Sequence, residues 1–249
     1  MNKKILSIKN LYKSFNNNEV TDVLDNINID VYKGEFVSIV GTSGCGKSTL
    51  LNIIAKLDKQ SSGSIIYYLD NNDVIGYMMQ EPALFPWLNI EKNALFASNI
   101  KKINNEDYIT NLLKRYGLYS FKNKYPSELS GGMKQRISLI RTIGLKPSLL
   151  LLDEPFSQLD YQSRLSISSD IHKLVKDHNI TVILITHDIS EAISLSDRII
   201  VLSKRPAHVK NIYTLEFDKY LSPVERRKNN LFLSYFDLIG KDLDLFEES

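Results

Sequence analysis

Two short segments carry the residue types that handle phosphate and a divalent metal. Gly41, Thr42, Ser43, Gly44, Cys45, Gly46, Lys47, Ser48 and Thr49 satisfy the spacing G-x-x-x-x-G-K-[ST] in full. Glycines let consecutive backbone N–H groups turn inward without Cβ clashes, and a helix starting near Lys47 adds the positive end of its dipole. A chain of phosphates is the ligand that such a loop suits. In that reading Lys47 reaches the β- and γ-phosphates, the Ser48 hydroxyl ligates Mg²⁺, and Thr49 bonds a phosphate oxygen. Cys45, the only cysteine, reads as a small filler, since the loop works through its backbone. The second segment, Leu149-Leu150-Leu151-Leu152-Asp153-Glu154-Pro155, is an apolar run ending in two acids. Ligands of parallel sheets collect at the carboxyl ends of strands. Asp153 is therefore expected to hold Mg²⁺ directly or through water. Glu154, facing differently because strand neighbours alternate, is expected to take a proton from the attacking water.

The surrounding elements have to position these residues. Residues 5–8 and 23–31 alternate apolar and polar side chains, the period of a half-buried strand, with Asn16-Asn17-Asn18 as a turn. Residues 35–40 form a short apolar strand leading into the phosphate loop. Residues 47–56 read as a helix, with Leu50, Leu51, Ile54 and Leu57 on one side at helical spacing. Residues 64–69 and 74–79 predict a hairpin around Asp70-Asn71-Asn72-Asp73. From 88 to 143 the pattern turns helical. Asn105 is placed to cap a helix through Arg115, which Gly117 ends. Ser130 is placed to cap another through Ile143, with Gly144 as its stop and Pro147 beyond. Alternation resumes with strands at 149–152, 181–186 and 198–202 and a helix at 161–178. Asp188-x-x-Glu191 forms a capping box, and Ser222-Pro223-x-Glu225 opens a final helix. Strand–helix alternation on both sides of a helical stretch predicts an α/β core with a helical insertion.

Composition narrows the class. The chain has 249 residues, 43% hydrophobic and 24% charged, which excludes a disordered protein. Its longest apolar runs fall far short of the ~20 residues that a bilayer span needs. Lys and Arg total 31 against 29 Asp and Glu, a net charge of +2, so charge makes no case for nucleic acid. A single cysteine excludes an intrachain disulfide and favours a reducing compartment. The basic start Met1-Asn2-Lys3-Lys4 lacks the long apolar core of a signal peptide. A cytoplasmic protein is expected.

Between the two chemical segments lies Leu129-Ser130-Gly131-Gly132-Met133-Lys134-Gln135-Arg136. Ser130 and the N–H groups of Gly131 and Gly132, at a helix start, make a second anion site. In this order the three motifs resemble those of ATP-binding cassette (ABC) ATPases, whose signature more often ends in Gln than in the Met133 found here. The resemblance implies a P-loop NTPase (RecA-like) α/β core over residues 1–87 and 146–215, including an N-terminal antiparallel β subdomain. An α-helical signature subdomain would occupy 88–145 and a C-terminal helical extension 216–249, all as one ABC ATPase domain. Gln80 resembles the family's Q-loop glutamine, which contacts Mg²⁺ and the region of the attacking water. Ser157-Gln158-Leu159-Asp160 is similar to the D-loop, with Gln158 where Ala is commoner. His187 looks like the switch histidine that contacts the γ-phosphate. Phe15 falls where the family places an aromatic residue against adenine, and Tyr12 is a neighbouring rival. ATP and Mg²⁺ are the implied cofactors. A head-to-tail dimer is implied too, each ATP lying between the phosphate loop of one copy and Ser130, Gly131 and Gly132 of the other.

Residues 80–88 and Asp153-Glu154-Pro155-Phe156 resemble the corresponding segments of the nitrate/sulfonate/taurine-type importer ATPases of bacteria. That implies import of a small solute through separate permease subunits docking near 80–88. A solute-binding protein would act indirectly, and the chain would lie peripherally on the inner face of the cell membrane. Phe85, Trp87 and Leu88 either line a groove for a short permease helix or pack the core of the helical insertion. An exporter ATPase and a non-transport member acting on ribosomes or DNA are the competing readings. The length leaves no room for an added β-rich regulatory domain. Leu231, Leu233, Phe236, Leu238, Ile239, Leu243 and Phe246 predict a C-terminal helix packed on its own domain.

Overall fold

The computed structural model describes residues 3–17, 19–70, 73–218 and 220–245. Met1, Asn2, Asn18, Asn71, Asn72 and Phe246, which the sequence places in a basic start, in turns and in the last helix, lie outside the described residues. In chain order the elements begin with β1 (Lys4–Asn17), β2 (Glu19–Tyr32), β3 (Phe36–Val40), α1 (Lys47–Ile54), β4 (Ser62–Tyr67) and β5 (Ile75–Met78). Next come α2 (Ile90–Ile100), α3 (Glu106–Arg115), α4 (Gly131–Ile143), β6 (Leu149–Asp153), α5 (Tyr161–His178) and β7 (Thr181–Ile185). The chain ends with α6 (Ile189–Leu195), β8 (Arg198–Leu202), β9 (Val209–Thr214), α7 (Pro223–Arg227) and α8 (Asn230–Asp242). Contacts divide the chain into two compact units, Met1–Asn72 with Ser168–Ser249, and Asp73–Ile167.

In the first unit β2, β1 and β4 form an antiparallel sheet. Leu6, Ile8, Leu11, Ile27 and Val31 are buried on its covered side. Both long strands extend past the predicted segments, down to the Asn17↔Glu19 pair, because polar residues are tolerated at an exposed hairpin end. The five residues of β3 are all buried, and β3 lies parallel to β7 on one side and β8 on the other. A strand covered on both faces reads as a continuous apolar run, which is why it was legible. β9 was not. It pairs antiparallel with β8 as a half-exposed edge strand, and its Val-Lys-Asn-Ile-Tyr-Thr sequence shows no clean alternation. Val40, Ile193 and Val201 pack with Phe232 and Ile239 of α8 in one core cluster. The predicted final helix is two helices. Asn229 ends the first by capping the second, its side chain accepting from the Leu231 N–H.

The predicted hairpin around residues 70–73 does not form. β4 pairs with β1, whereas β5 pairs in parallel with β6. Two apolar runs around a turn-rich stretch look alike whether they bind each other or two distant strands. Gly63 records the outcome: its φ is +85° and its backbone lies against Asn10, where a side chain would collide.

In the second unit α2, α3 and α4 pack together, with α4 against β5, which pairs with β6. α4 starts and stops where predicted, with the Ser130 hydroxyl accepting from the Met133 N–H. Asn105 precedes α3 as predicted but does not cap it. Its amide donates to the Gly144 carbonyl, joining the start of α3 to the end of α4.

Candidate functional site

The first unit carries the phosphate loop. Gly44 and Gly46 hold φ values of +73° and +122°, which turn the loop's N–H groups. Gly46 also lies against β2: a Cβ there would sit 2.8 Å from Val23 Cγ1 and 3.0 Å from Leu24 Cδ2. Cys45 is buried with its sulfur against Gly41, as a filler behind the loop. Lys47 is buried, and its Nζ donates to the carbonyls of Gly41 at 2.8 Å and Thr42 at 3.0 Å. The ammonium thus lies within the loop's curve at the N-terminus of α1, where the helix dipole is also positive. Thr42 and Thr49 are half-buried, while Ser43, Gly44 and Ser48 face outward.

His187 is exposed in the turn between β7 and α6. That turn is pinned: the Thr186 hydroxyl donates to Glu191 Oε2 at 2.8 Å and accepts from the Asp188 N–H at 3.0 Å, while Asp188 caps α6. Glu191 therefore serves Thr186, where a capping box had been expected of it. Phe15 and Tyr12 on β1 are each 38% exposed. The Lys13 ammonium lies 4.5 Å from the Phe15 ring centroid and is bound to Asp58 at 2.8 Å, so Phe15 is the ring held by its neighbours.

The second unit carries the acids, Gln80, the signature and the D-loop. Asp153 ends β6 and is 4% exposed. Tyr77 on β5 donates its hydroxyl to Asp153, and burial together with that carboxylate drives the phenol well above its usual pKa. Glu154 is turned by its backbone, whose φ of +46° ends the strand, and not by pleat alternation as the sequence suggested. Its Oε2 accepts from Gln80 Nε2 at 3.3 Å. Ser130 and Gly131 are exposed at the start of α4, and Gly132 is half-buried. A Cβ on Gly131 would lie 2.8 Å from Gln158 Oε1, so this glycine lets the D-loop side chain approach. Asp160 is exposed. The Ser163 side chain and N–H both bond its carboxylate and hold its pKa below the usual range.

Several positioning residues escaped the sequence reading. Asn93 is fully buried on α2 and organises residues 85–88: its Oδ1 accepts from the Phe85 N–H at 2.8 Å, and its Nδ2 donates to the Leu88 carbonyl at 2.8 Å. Arg141 donates to the Ala83 carbonyl at 2.7 Å. A polar residue on the apolar side of a helix, as Asn93 is beside Ile90 and Ala94, was the available signal. The Phe85 and Phe96 rings meet tilted, with centroids 4.2 Å apart, whereas Trp87 is 70% exposed and belongs to no core. Tyr77, Met79, Phe85, Phe96, Ile100 and Leu145 line a groove of about 370 Å³, with Lys101 and Arg141 among its borders.

A family model described as ABC transporter matches residues 24–157. The chain belongs to the ABC transporter ATP-binding family. The uncharacterized ABC transporter ATP-binding protein YtlC of Bacillus subtilis is 41% identical, covering 94% of this chain and 93% of that protein. The aliphatic sulfonates import ATP-binding protein SsuB of Bacillus cereus is 37% identical, covering 97% and 96%. Among solved structures, the dimeric ATP-binding cassette MJ0796 in a post-hydrolysis state with ADP and Pi has a TM-score of 0.75 at 31% identity. That match covers 86% of this chain and 100% of the other. The fold is thus the P-loop NTPase fold of an ABC cassette. The cassette is an ATPase that binds ATP with Mg²⁺. Among the described residues no helix is long and apolar enough to cross a membrane.

Proposed function

We propose that this cassette drives import of a small solute, of sulfonate, nitrate or taurine type, through separate permease subunits, working as a head-to-tail pair of copies on the inner face of the membrane. The observation that carries the reading is the presence of two anion-binding helix starts in one chain, at α1 and α4. The end-to-end match to an importer ATPase supports the direction of transport. In the pair, residues 41–49 cradle the phosphates and Lys47 neutralises the β- and γ-oxygens. Ser48, Asp153 and Gln80 offer the hard oxygen ligands that suit Mg²⁺, which supplies charge neutralisation at the phosphates. Phe15 stacks on adenine. Ser130, Gly131 and Gly132 of the other copy cap the γ-phosphate, with Asp160 beside them. Glu154 accepts the proton of the attacking water, and His187 bonds the γ-phosphate.

The groove beside residues 80–88 is the docking place for a short permease helix. Its apolar lining and the cations Lys101 and Arg141 suit an amphipathic helix that carries an acidic residue. The test joins both halves of the reading. Glu154→Gln lowers kcat by ~10²–10⁴-fold with MgATP affinity retained. Membrane vesicles reconstituted with a permease that co-purifies with this chain take up solute with the wild-type chain and not with that variant. Hydrolysis at the wild-type rate in Glu154→Gln overturns the assignment of the base. Efflux in place of uptake overturns the assignment of direction.

A further inference from the structure

Gln135 lies on α4, just beyond the signature glycines, and its side chain is 1% exposed. Both ends of its amide are engaged. Nε2 donates to the Glu154 carbonyl at 3.2 Å, and Oε1 accepts from the Gln158 N–H at 3.1 Å. The residue it grips is in an unfavourable conformation. Glu154 has φ +46°, the left-handed region, which a residue with a Cβ occupies only at a cost. Such a conformation persists only when its neighbours over-determine it. Here the Ser157 N–H closes a turn on the same carbonyl at 3.2 Å, and Gln80 bonds the carboxylate at 3.3 Å. The Glu154 carbonyl thus has two donors, and the turn leading to Gln158 is tied to α4 through one planar group.

We propose that Gln135 is a positioning residue for ATP hydrolysis. It holds the Glu154 backbone in the left-handed turn that aims the carboxylate, and in the same contact fixes the D-loop at Gln158. The inference rests on Glu154 being the base. The role needs a donor and an acceptor on one buried group, and glutamine has both. Glutamate keeps the acceptor for Gln158 but turns an oxygen on the Glu154 carbonyl. Methionine fills similar space and offers neither partner. A purely structural glutamine would stabilise the fold without acting through Glu154, and the two roles separate in a double-mutant cycle.

The experiment measures steady-state hydrolysis by the full chain carrying Gln135→Met or Gln135→Glu, each assayed well below its melting midpoint. The expected result is a kcat at least 10-fold lower in both variants, with the KM for MgATP within 3-fold of wild type. In the Glu154→Gln background, Gln135→Met then leaves the residual rate unchanged within 2-fold. The proposal is overturned if Gln135→Glu keeps its kcat within 2-fold of wild type. It is equally overturned if Gln135→Met costs the same factor with and without Glu154, or if the loss lies in KM. Either of those failures leaves the base assignment standing. A wild-type rate in Glu154→Gln alone overturns the base assignment, and this proposal with it.

Discussion

Gly44 and Gly46 sit in one loop under different constraints, and the difference is testable. Gly44, at φ +73°, has open space around the position of a Cβ. Gly44→Ala therefore brings only the left-handed penalty, about 1–2 kcal/mol. Gly46, at φ +122°, would also drive a Cβ into Val23 and Leu24. Gly46→Ala must shift β2 or reshape the loop that Lys47 stabilises. It is expected to melt lower than Gly44→Ala and to lose MgATP binding at least 10-fold more, measured by thermal unfolding and calorimetry. Equal effects in the two variants would show that the backbone angle alone matters. Lys47 follows the same logic of local geometry, because its two carbonyl partners lie only five and six residues before it.

At the scale of elements, a buried histidine on α5, under the electrostatic influence of an arginine on α7, predicts a pH response. His172 of α5 is 6% exposed, and its Nε2 is buried without a hydrogen-bond partner. Burial, helped by Arg226 and Lys176 and opposed by Asp197, pushes its pKa down from 6.5 to about 4. Arg226 of α7 is 2% exposed and donates to the Ser196 carbonyl at 2.6 Å. The unfolded chain binds the histidine proton first. Stability from this site is therefore complete above about pH 6.5 and declines as pH falls toward 4, by up to ~1.4 kcal/mol per pH unit. His172→Gln, which cannot take up a proton, is expected to flatten urea-melt stability between those limits. An unchanged slope would place the response elsewhere. α2 works as a scaffold in a similar way, since one buried amide, that of Asn93, shapes residues 85–88.

At the scale of the whole molecule, the proposed pairing rests on two helix starts in one chain, those of α1 and α4. In the proposed head-to-tail pair, each nucleotide would receive one site of each kind. Light scattering of Glu154→Gln is therefore expected to show twice the 28.5 kDa mass of the chain with MgATP present, and the single mass after EDTA is added. A constant single mass would refute the pairing.

Residues 41–49, 129–136 and 149–155 were legible because each codes a local backbone geometry: a glycine turn, a capped helix start, a buried strand end. Spacing alone carries that information, and the order of the three motifs carried the family. The partners of distant segments were not legible. Residues 64–69 and 74–79 read as a hairpin, yet bind β1 and β6. Asn105 had the composition of a cap, but its amide went to Gly144, 39 residues away. Glu154 read as one side of an alternating strand until its backbone turned left-handed under the hold of Gln135, 19 residues earlier. The amino-acid sequence by itself determined which chemistry the cassette carries, because those motifs act through neighbouring backbone. Only the tertiary structure decided how the carboxylate is aimed, because a hydrogen bond between distant residues leaves no periodicity in the chain.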